Sequence, residues 1–98
     1  MKNTLIILDC TLRDGGYYNN WDFELELVEV YLRSMEKASI DVVEIGFRSP
    51  PKASFMGPFY YSTDEYLTTL PLPDGLMIGV MINAKDYLDA AEEPKNLI

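Results

Sequence analysis

The sequence predicts an α/β fold of parallel βα units, and three observations lead there. Apolar runs suited to strands alternate with stretches of helical periodicity along the chain. The run Leu5–Leu8 is continuously apolar, the pattern of a strand buried on both faces of a parallel sheet, and Leu76–Asn83 reads as a further buried strand. Between strands the chain is broken by Pro50, Pro51, Gly57, Pro58 and Pro73-Asp74-Gly75, which punctuate it into units.

Each element can be argued in turn. Leu5-Ile6-Ile7-Leu8 is read as the first strand. Asp22 can cap a helix running to about Ala38, with Glu24 and Glu26 near the positive end of its dipole and Arg33 and Lys37 near the negative end. Leu25, Val28, Leu32 and Met35 recur at spacings of three and four, which makes one apolar stripe, while Glu29 and Arg33 pair outside it. Ile40 through Phe47 is the second strand. Its alternation puts Val43, Ile45 and Phe47 on one face and Val42, Glu44 and Gly46 on the other, so one face carries a carboxylate.

From Arg48 to Tyr61 the prolines and glycine predict a long, aromatic-rich loop. Ser62 and Glu65 match a capping box and open a short helix ending before Pro71. Leu76–Asn83 is the third strand, and a final helix over Lys85–Glu93 is stopped by Pro94. The order is β-α-β-α-β-α in one domain over 98 residues, with two sheet edges left open. No internal repeat or low-complexity tract interrupts it.

Composition narrows the function classes. Eight Lys plus Arg against sixteen Asp plus Glu give a formal charge of −8, which repels nucleic-acid backbones and anionic lipid headgroups. No nucleic-acid or membrane partner is expected. The single cysteine, Cys10, cannot form an internal disulfide, and the apolar run before Asp9 is too short for a leader or a membrane span, so a cytoplasmic location is expected. The chain has no histidine, which removes the commonest general base near neutral pH and the commonest transition-metal ligand.

The most informative segment follows the first strand: D-C-T-L-R-D-G-G-Y-Y-N-N-W-D-F. Adjacent Arg13 and Asp14 at a strand end can divide labour. The carboxylate can hold a hard divalent cation, and the guanidinium can stabilise an oxyanion that develops on substrate. Gly15 and Gly16 are read as letting the backbone turn tightly around them. The alternative for an isolated Arg-Asp pair is a structural turn or a surface ion pair.

T-L-R-D-G after a first strand, followed beyond a helix by V-E-I-G-F-R-S-P, resembles the opening of the DRE-TIM metallolyases. That group includes 3-hydroxy-3-methylglutaryl-CoA lyase, 4-hydroxy-2-oxovalerate aldolase, isopropylmalate synthase and pyruvate carboxyltransferase domains. The fuller string R-D-G-G-Y-Y-N-N-W-D-F, with G-F-R-S and G-P-F-Y-Y, is most similar to the branch described as an aldolase catalytic domain, and the likeness spans essentially the whole chain. It implies a TIM (β/α)8 barrel, of which 98 residues would hold about three βα units, since a whole barrel takes roughly 250 residues.

The resemblance implies roles residue by residue. Asp14 would be a ligand of Mg or Mn, Arg13 would stabilise an enolate intermediate, and Glu44 would be the second-strand acid that supports this cluster. Substrates would be 2-oxo acids or acyl compounds in which a carbon–carbon bond is made or broken. The family also uses an H-x-H pair on a later strand, which this chain lacks, so stable metal binding and activity are not expected of the chain alone. Tyr17 stands where relatives carry a histidine base or a glutamine. It is a candidate acid or substrate hydrogen-bond donor, with aromatic packing beside Trp21 and Phe23 the favoured alternative.

Three further residues have two readings each. Arg48 could take a substrate carboxylate bidentately or form a surface salt bridge. Asn83 could face the mouth of the barrel or cap the helix beginning near Lys85, and the cap is favoured. Cys10 could be a nucleophile but is better read as an inert thiol. A phosphate-binding reading of Gly15 and Gly16 finds little support in acidic surroundings without a phosphate-loop pattern. The alternative to an enzyme fragment is a non-catalytic, self-associating remnant, a homo-oligomer joined through its open sheet edges.

Overall fold

A computed structural model describes residues 5–97. Residues 1–4, where the segment considered as a leader begins, and residue 98 lie outside the described residues. The described chain is β1 Leu8–Asp9, α1 Thr11–Gly15, α2 Leu25–Lys37, β2 Val42–Phe47, α3 Pro58–Tyr61, α4 Asp64–Leu67, β3 Met77–Met81 and α5 Ala84–Ala90. Short 3-10 turns at Gly16–Tyr18 and Pro94–Asn96 complete it.

The strands form one parallel sheet in the order β1-β2-β3, with Leu8 opposite Val42 and Val42 opposite Met77. A small α/β fold of three parallel strands, as a run of βα units produces, is therefore what the chain adopts. No helix among the described residues is long and apolar enough to cross a membrane.

The core lies between β2 and the helices. Val43 and Ile45 on one face of β2 are fully buried against Val28 and Leu32 of α2 and Phe59 of α3. Fully burying side chains of this kind stabilises by about 1.5–3 kcal/mol each. Gly46 makes the β2–α3 contact possible, because a Cβ there would lie 2.1 Å from the Phe59 carbonyl oxygen.

Several boundaries differ from the sequence expectation, each for a local reason. The first strand is Leu8–Asp9 rather than Leu5–Leu8, and it is not buried on both faces: Leu5 and Ile6 are 65% and 71% exposed. β1 is the sheet edge, so among the described residues nothing lies beyond it. Asp41 holds the segment before it, accepting from the Ile7 N–H at 2.8 Å while the Asp41 and Val42 amides donate to the Ile7 carbonyl.

Asp22 does not cap α2. Its amide closes a turn onto the Asn19 carbonyl, so the helix begins later and Glu24 takes the cap position without a side-chain bond. Leu25, in the first turn, is exposed, and the buried stripe becomes Val28 and Leu32 flanked by Tyr31 and Met35. Glu29 and Arg33 do pair, at 4.0 Å.

The loop expected over Arg48–Tyr61 contains α3, because Pro58 sits in its first turn, where a missing N–H costs no hydrogen bond. Ser62 ends α3 in the left-handed conformation, its hydroxyl donating to the Phe59 carbonyl. Thr63 instead caps α4, accepting from the Tyr66 amide. Asn83 caps α5, its Oδ1 accepting from the Lys85 amide at 3.0 Å, and Ala91 in the left-handed region ends that helix before Pro94 is reached.

Candidate functional site

The R-D-G-G segment is helical. Gly15 and Gly16 have φ of −65° and −62°, so neither is needed for a special turn, contrary to the expectation from sequence. What Gly16 supplies is room: a Cβ there would lie 2.0 Å from the Trp21 indole. The indole is held by its Nε1–H donating to the Arg13 carbonyl at 2.8 Å and by edge contacts with Tyr17 and Phe47 at 4.8 and 5.3 Å. Asn20 and Trp21 have φ of 57° and 58°, a strained left-handed pair that this packing holds in place.

Winding α1 immediately after β1 directs Arg13 across the sheet. Its Nη1 donates to Glu44 Oε1 on β2 at 2.7 Å, and its Nε lies 3.3 Å from Asp14 Oδ1. The Arg13 and Glu44 side chains are 23% and 16% exposed, whereas that of Asp14 is 64% exposed. Burial opposes the charge on Arg13, but Glu44, Cys10 and Asp14 outweigh it and raise its pKa further above the ordinary value. Arg13 Nη2 makes no hydrogen bond among the described residues, which leaves one edge of a fixed guanidinium free for an oxyanion.

Asp9 and Tyr31 belong to the same neighbourhood. Asp9 accepts from the Tyr31 hydroxyl and from both the amide and hydroxyl of Thr11. Burial works against the Asp9 charge, and these hydrogen bonds overcome it, so its pKa falls below the ordinary value. Burial and the bond to Asp9 push the Tyr31 phenol above its ordinary range. The Asp9-x-Thr11 spacing is the local side-chain-to-backbone pattern that could have revealed Asp9 in the sequence. Its Tyr31 partner, 22 residues away, has no such signal.

Cys10 donates to Asp14 Oδ2 at 3.6 Å, and burial together with that bond raises the thiol's pKa. Asp14 is thus an exposed carboxylate shared between Arg13 and Cys10, while Glu44 is committed to Arg13. Among the described residues no group of three or more His, Cys, Asp and Glu side chains is arranged to hold a metal ion. These donors do not by themselves fit Mg or Mn, which need a near-octahedral set of oxygen ligands.

Arg13, Asp14 and Glu44 are therefore brought together, and Arg48 is not. The Arg48 guanidinium donates to the Ser62 carbonyl at 2.7 and 3.1 Å and to Asp64 at 2.8 Å. It would have to release Asp64 to receive a substrate carboxylate. Tyr17 has its ring edge-on to Trp21 and Phe47 yet remains 66% exposed.

The fold and cluster define a class first: a parallel βα-unit domain in which an arginine beyond one strand is held by a carboxylate on the next. Among solved structures, the chain is similar to the crystal structure of the N-terminal domain of a proposed aldolase from Bacteroides vulgatus, with 41% identity and a TM-score of 0.71. The likeness covers 84% of this chain and 27% of that one, so the chain spans little more than a quarter of that relative's length. No protein-family model and no curated protein matches the chain.

Proposed function

We propose that this chain is the N-terminal part of a divalent-metal-dependent aldolase or lyase that acts on 2-oxo acid or acyl substrates through an enolate, within a TIM barrel. The observation that carries this reading is the 2.7 Å Arg13–Glu44 pair, which fixes a guanidinium with Nη2 unengaged beside Asp14. Preorganised donors aimed at developing negative charge are commonly the largest single contribution to catalysis of this kind.

In this reading Arg13 receives the enolate oxygen and Glu44 is a positioning residue that sets the guanidinium's angle. Asp14 contributes one carboxylate to a Mg or Mn site that residues outside this chain complete. Tyr17 is the remaining candidate hydrogen-bond donor. The chain alone is inactive because it supplies too few metal ligands, and the location is cytoplasmic.

The test is metal-dependent release of pyruvate from a 4-hydroxy-2-oxo acid, measured on the longest product the gene encodes. Asp14→Asn and Arg13→Lys should each lower kcat/KM by about 100-fold or more, as loss of a preorganised charge-stabilising group does. Activity independent of metal, or variants as fast as the wild type, would sink the proposal.

A non-catalytic, self-associating domain is the second reading, favoured by apolar side chains in solvent near the β1 edge and on α2. Leu5, Ile6, Leu25, Leu27 and Val30 are all more than half exposed. Sedimentation equilibrium should then show a dimer or larger species, and a monomer at high micromolar concentration would eliminate it.

A further inference from the structure

We propose that the cavity at the carboxyl ends of β2 and β3 is a binding site for a small monocarboxylate with a flat aromatic body. This assignment does not depend on the aldolase reading. The cavity has a volume of about 430 Å³, within the range of small-molecule sites. Its walls include Phe47, the last residue of β2, and Asn83, which follows β3. Loops at the carboxyl ends of parallel strands are where α/β folds commonly place their ligand sites.

The shape of the wall argues for an aromatic body. Trp21, Phe47 and Tyr60 are each about 95% buried and meet at centroid distances of 5.3 to 6.3 Å, which makes a rigid apolar floor. Tyr17 lines the same cavity, in edge-type ring contact with Trp21 and Phe47, and keeps two thirds of its surface in solvent. Rings in such a setting favour edge-to-face or offset contact with another ring.

The polar groups argue for an anion. Arg13, Arg33, Arg48, Lys85 and Lys95 each lie within 4.0 Å of a carboxylate. Lys37 and Lys52 make no ion pair among the described residues, and of these two Lys52 lines the cavity, its Nζ standing 5.5 Å from the Tyr60 ring centroid. In a chain of charge −8, a cation left over an aromatic cavity is chemically conspicuous.

Two of the nearby acceptors are already engaged. Asp86 accepts the Tyr60 hydroxyl at 2.7 Å, and Asn83 Oδ1 accepts the Lys85 amide, which leaves the Asn83 NH2 as a donor. One ammonium and one amide donor match a carboxylate. A phosphate dianion is disfavoured, because Asp86 lies in the same wall and opposes a second negative charge.

Trp21 is the single tryptophan and forms part of the floor, so its fluorescence reports occupancy directly. The 98-residue chain would be titrated with 3-phenylpropionate, the neutral 3-phenylpropanamide and ring-free propionate. The acid should give a saturable change, and propionate none. The amide should bind about fivefold more weakly, the factor an exposed ion pair of about 1 kcal/mol provides. In Lys52→Gln, a surface change that leaves the fold alone, the acid should weaken to the level of the amide and the amide should be unaffected. No saturation by the acid, equal binding of acid and amide, a saturable response to propionate, or a preference that survives Lys52→Gln would each overturn the proposal.

Discussion

Adjacent glycines in this chain should respond to the same substitution with opposite signs. At Gly16 an added Cβ would stand 2.0 Å from two atoms of the Trp21 indole and 2.2 Å from a third. The ring cannot swing freely, because Trp21 is 5% exposed and its Nε1–H is bonded to the Arg13 carbonyl. Relief requires the indole to retreat by more than an ångström, on the order of the gap to an ordinary carbon contact. Overpacking of this kind costs about 1–3 kcal/mol, and losing the hydrogen bond adds roughly 1.

Gly16→Ala should therefore destabilise by about 2–4 kcal/mol, a large share of the roughly 5–15 kcal/mol expected for a domain of this size. At Gly15 the backbone is equally helical, but the nearest atoms to an added Cβ are 3.8 Å away on Phe23, an ordinary contact. Gly15→Ala should stabilise by about 0.4–1 kcal/mol by restricting the unfolded chain. Urea unfolding followed by far-UV circular dichroism, with Trp21 emission as a second probe, measures both. Gly16→Ala within about 0.5 kcal/mol of wild type, or equal losses at both positions, would refute the claim that Gly16 is there to make room for the indole.

Four further outcomes are expected. Glu44→Ala should cost about 1–2 kcal/mol, between the values for exposed and buried pairs, and a double-mutant cycle with Arg13→Met should return a coupling of that order; zero coupling would show the pair to be incidental. Asp9 has a lowered folded-state pKa, so its stabilisation is present above its ordinary value of 3.8 and is lost as pH falls through the lowered one. Tyr60 is pushed from 10.0 up to about 12 by burial and its bond to Asp86, so stability should decline between those pH values. Urea midpoints across pH for Asp9→Asn and Tyr60→Phe should show the respective slope flattened, and unchanged slopes would contradict the hydrogen-bond assignments. Asn83→Ala should lose about 1 kcal/mol through the uncapped α5, read by the same denaturation assay.

Much of the fold was legible because its signals are local. The alternation in β2 places Val43 and Ile45 in the core and Glu44 on the opposite face, as a period of two requires. The Asn83 cap and the Glu29–Arg33 pair are short-range geometry and follow from spacing alone. The boundaries that moved did so where neighbours compete for one residue. Ser62 is used to end α3 and is not available to cap α4, and Asp22 is drawn into the turn at Asn19 before α2 begins. Propensity does not encode which of two local roles prevails.

The candidate site divides in the same way. Arg13, Asp14 and Glu44 could be nominated from residue type and position at strand ends, and the sequence by itself determined the order of the three strands, the parallel arrangement and the carboxylate-bearing face of β2, though not the short helices α1 and α3. Only the tertiary structure decided that Arg13 reaches Glu44, that Arg48 turns instead to Ser62 and Asp64, and that Lys52 is left above an aromatic floor. It also decided that Gly16 serves the packing of Trp21 and that neither glycine of the pair is needed for a turn. The physical reason is range: helix and strand periodicity act over a few residues, whereas the hydrogen bonds and ion pairs of Asp41, Arg13 and Arg48 depend on partners 14 to 34 residues apart, whose juxtaposition exists only once β2 has packed against the helices that cover it.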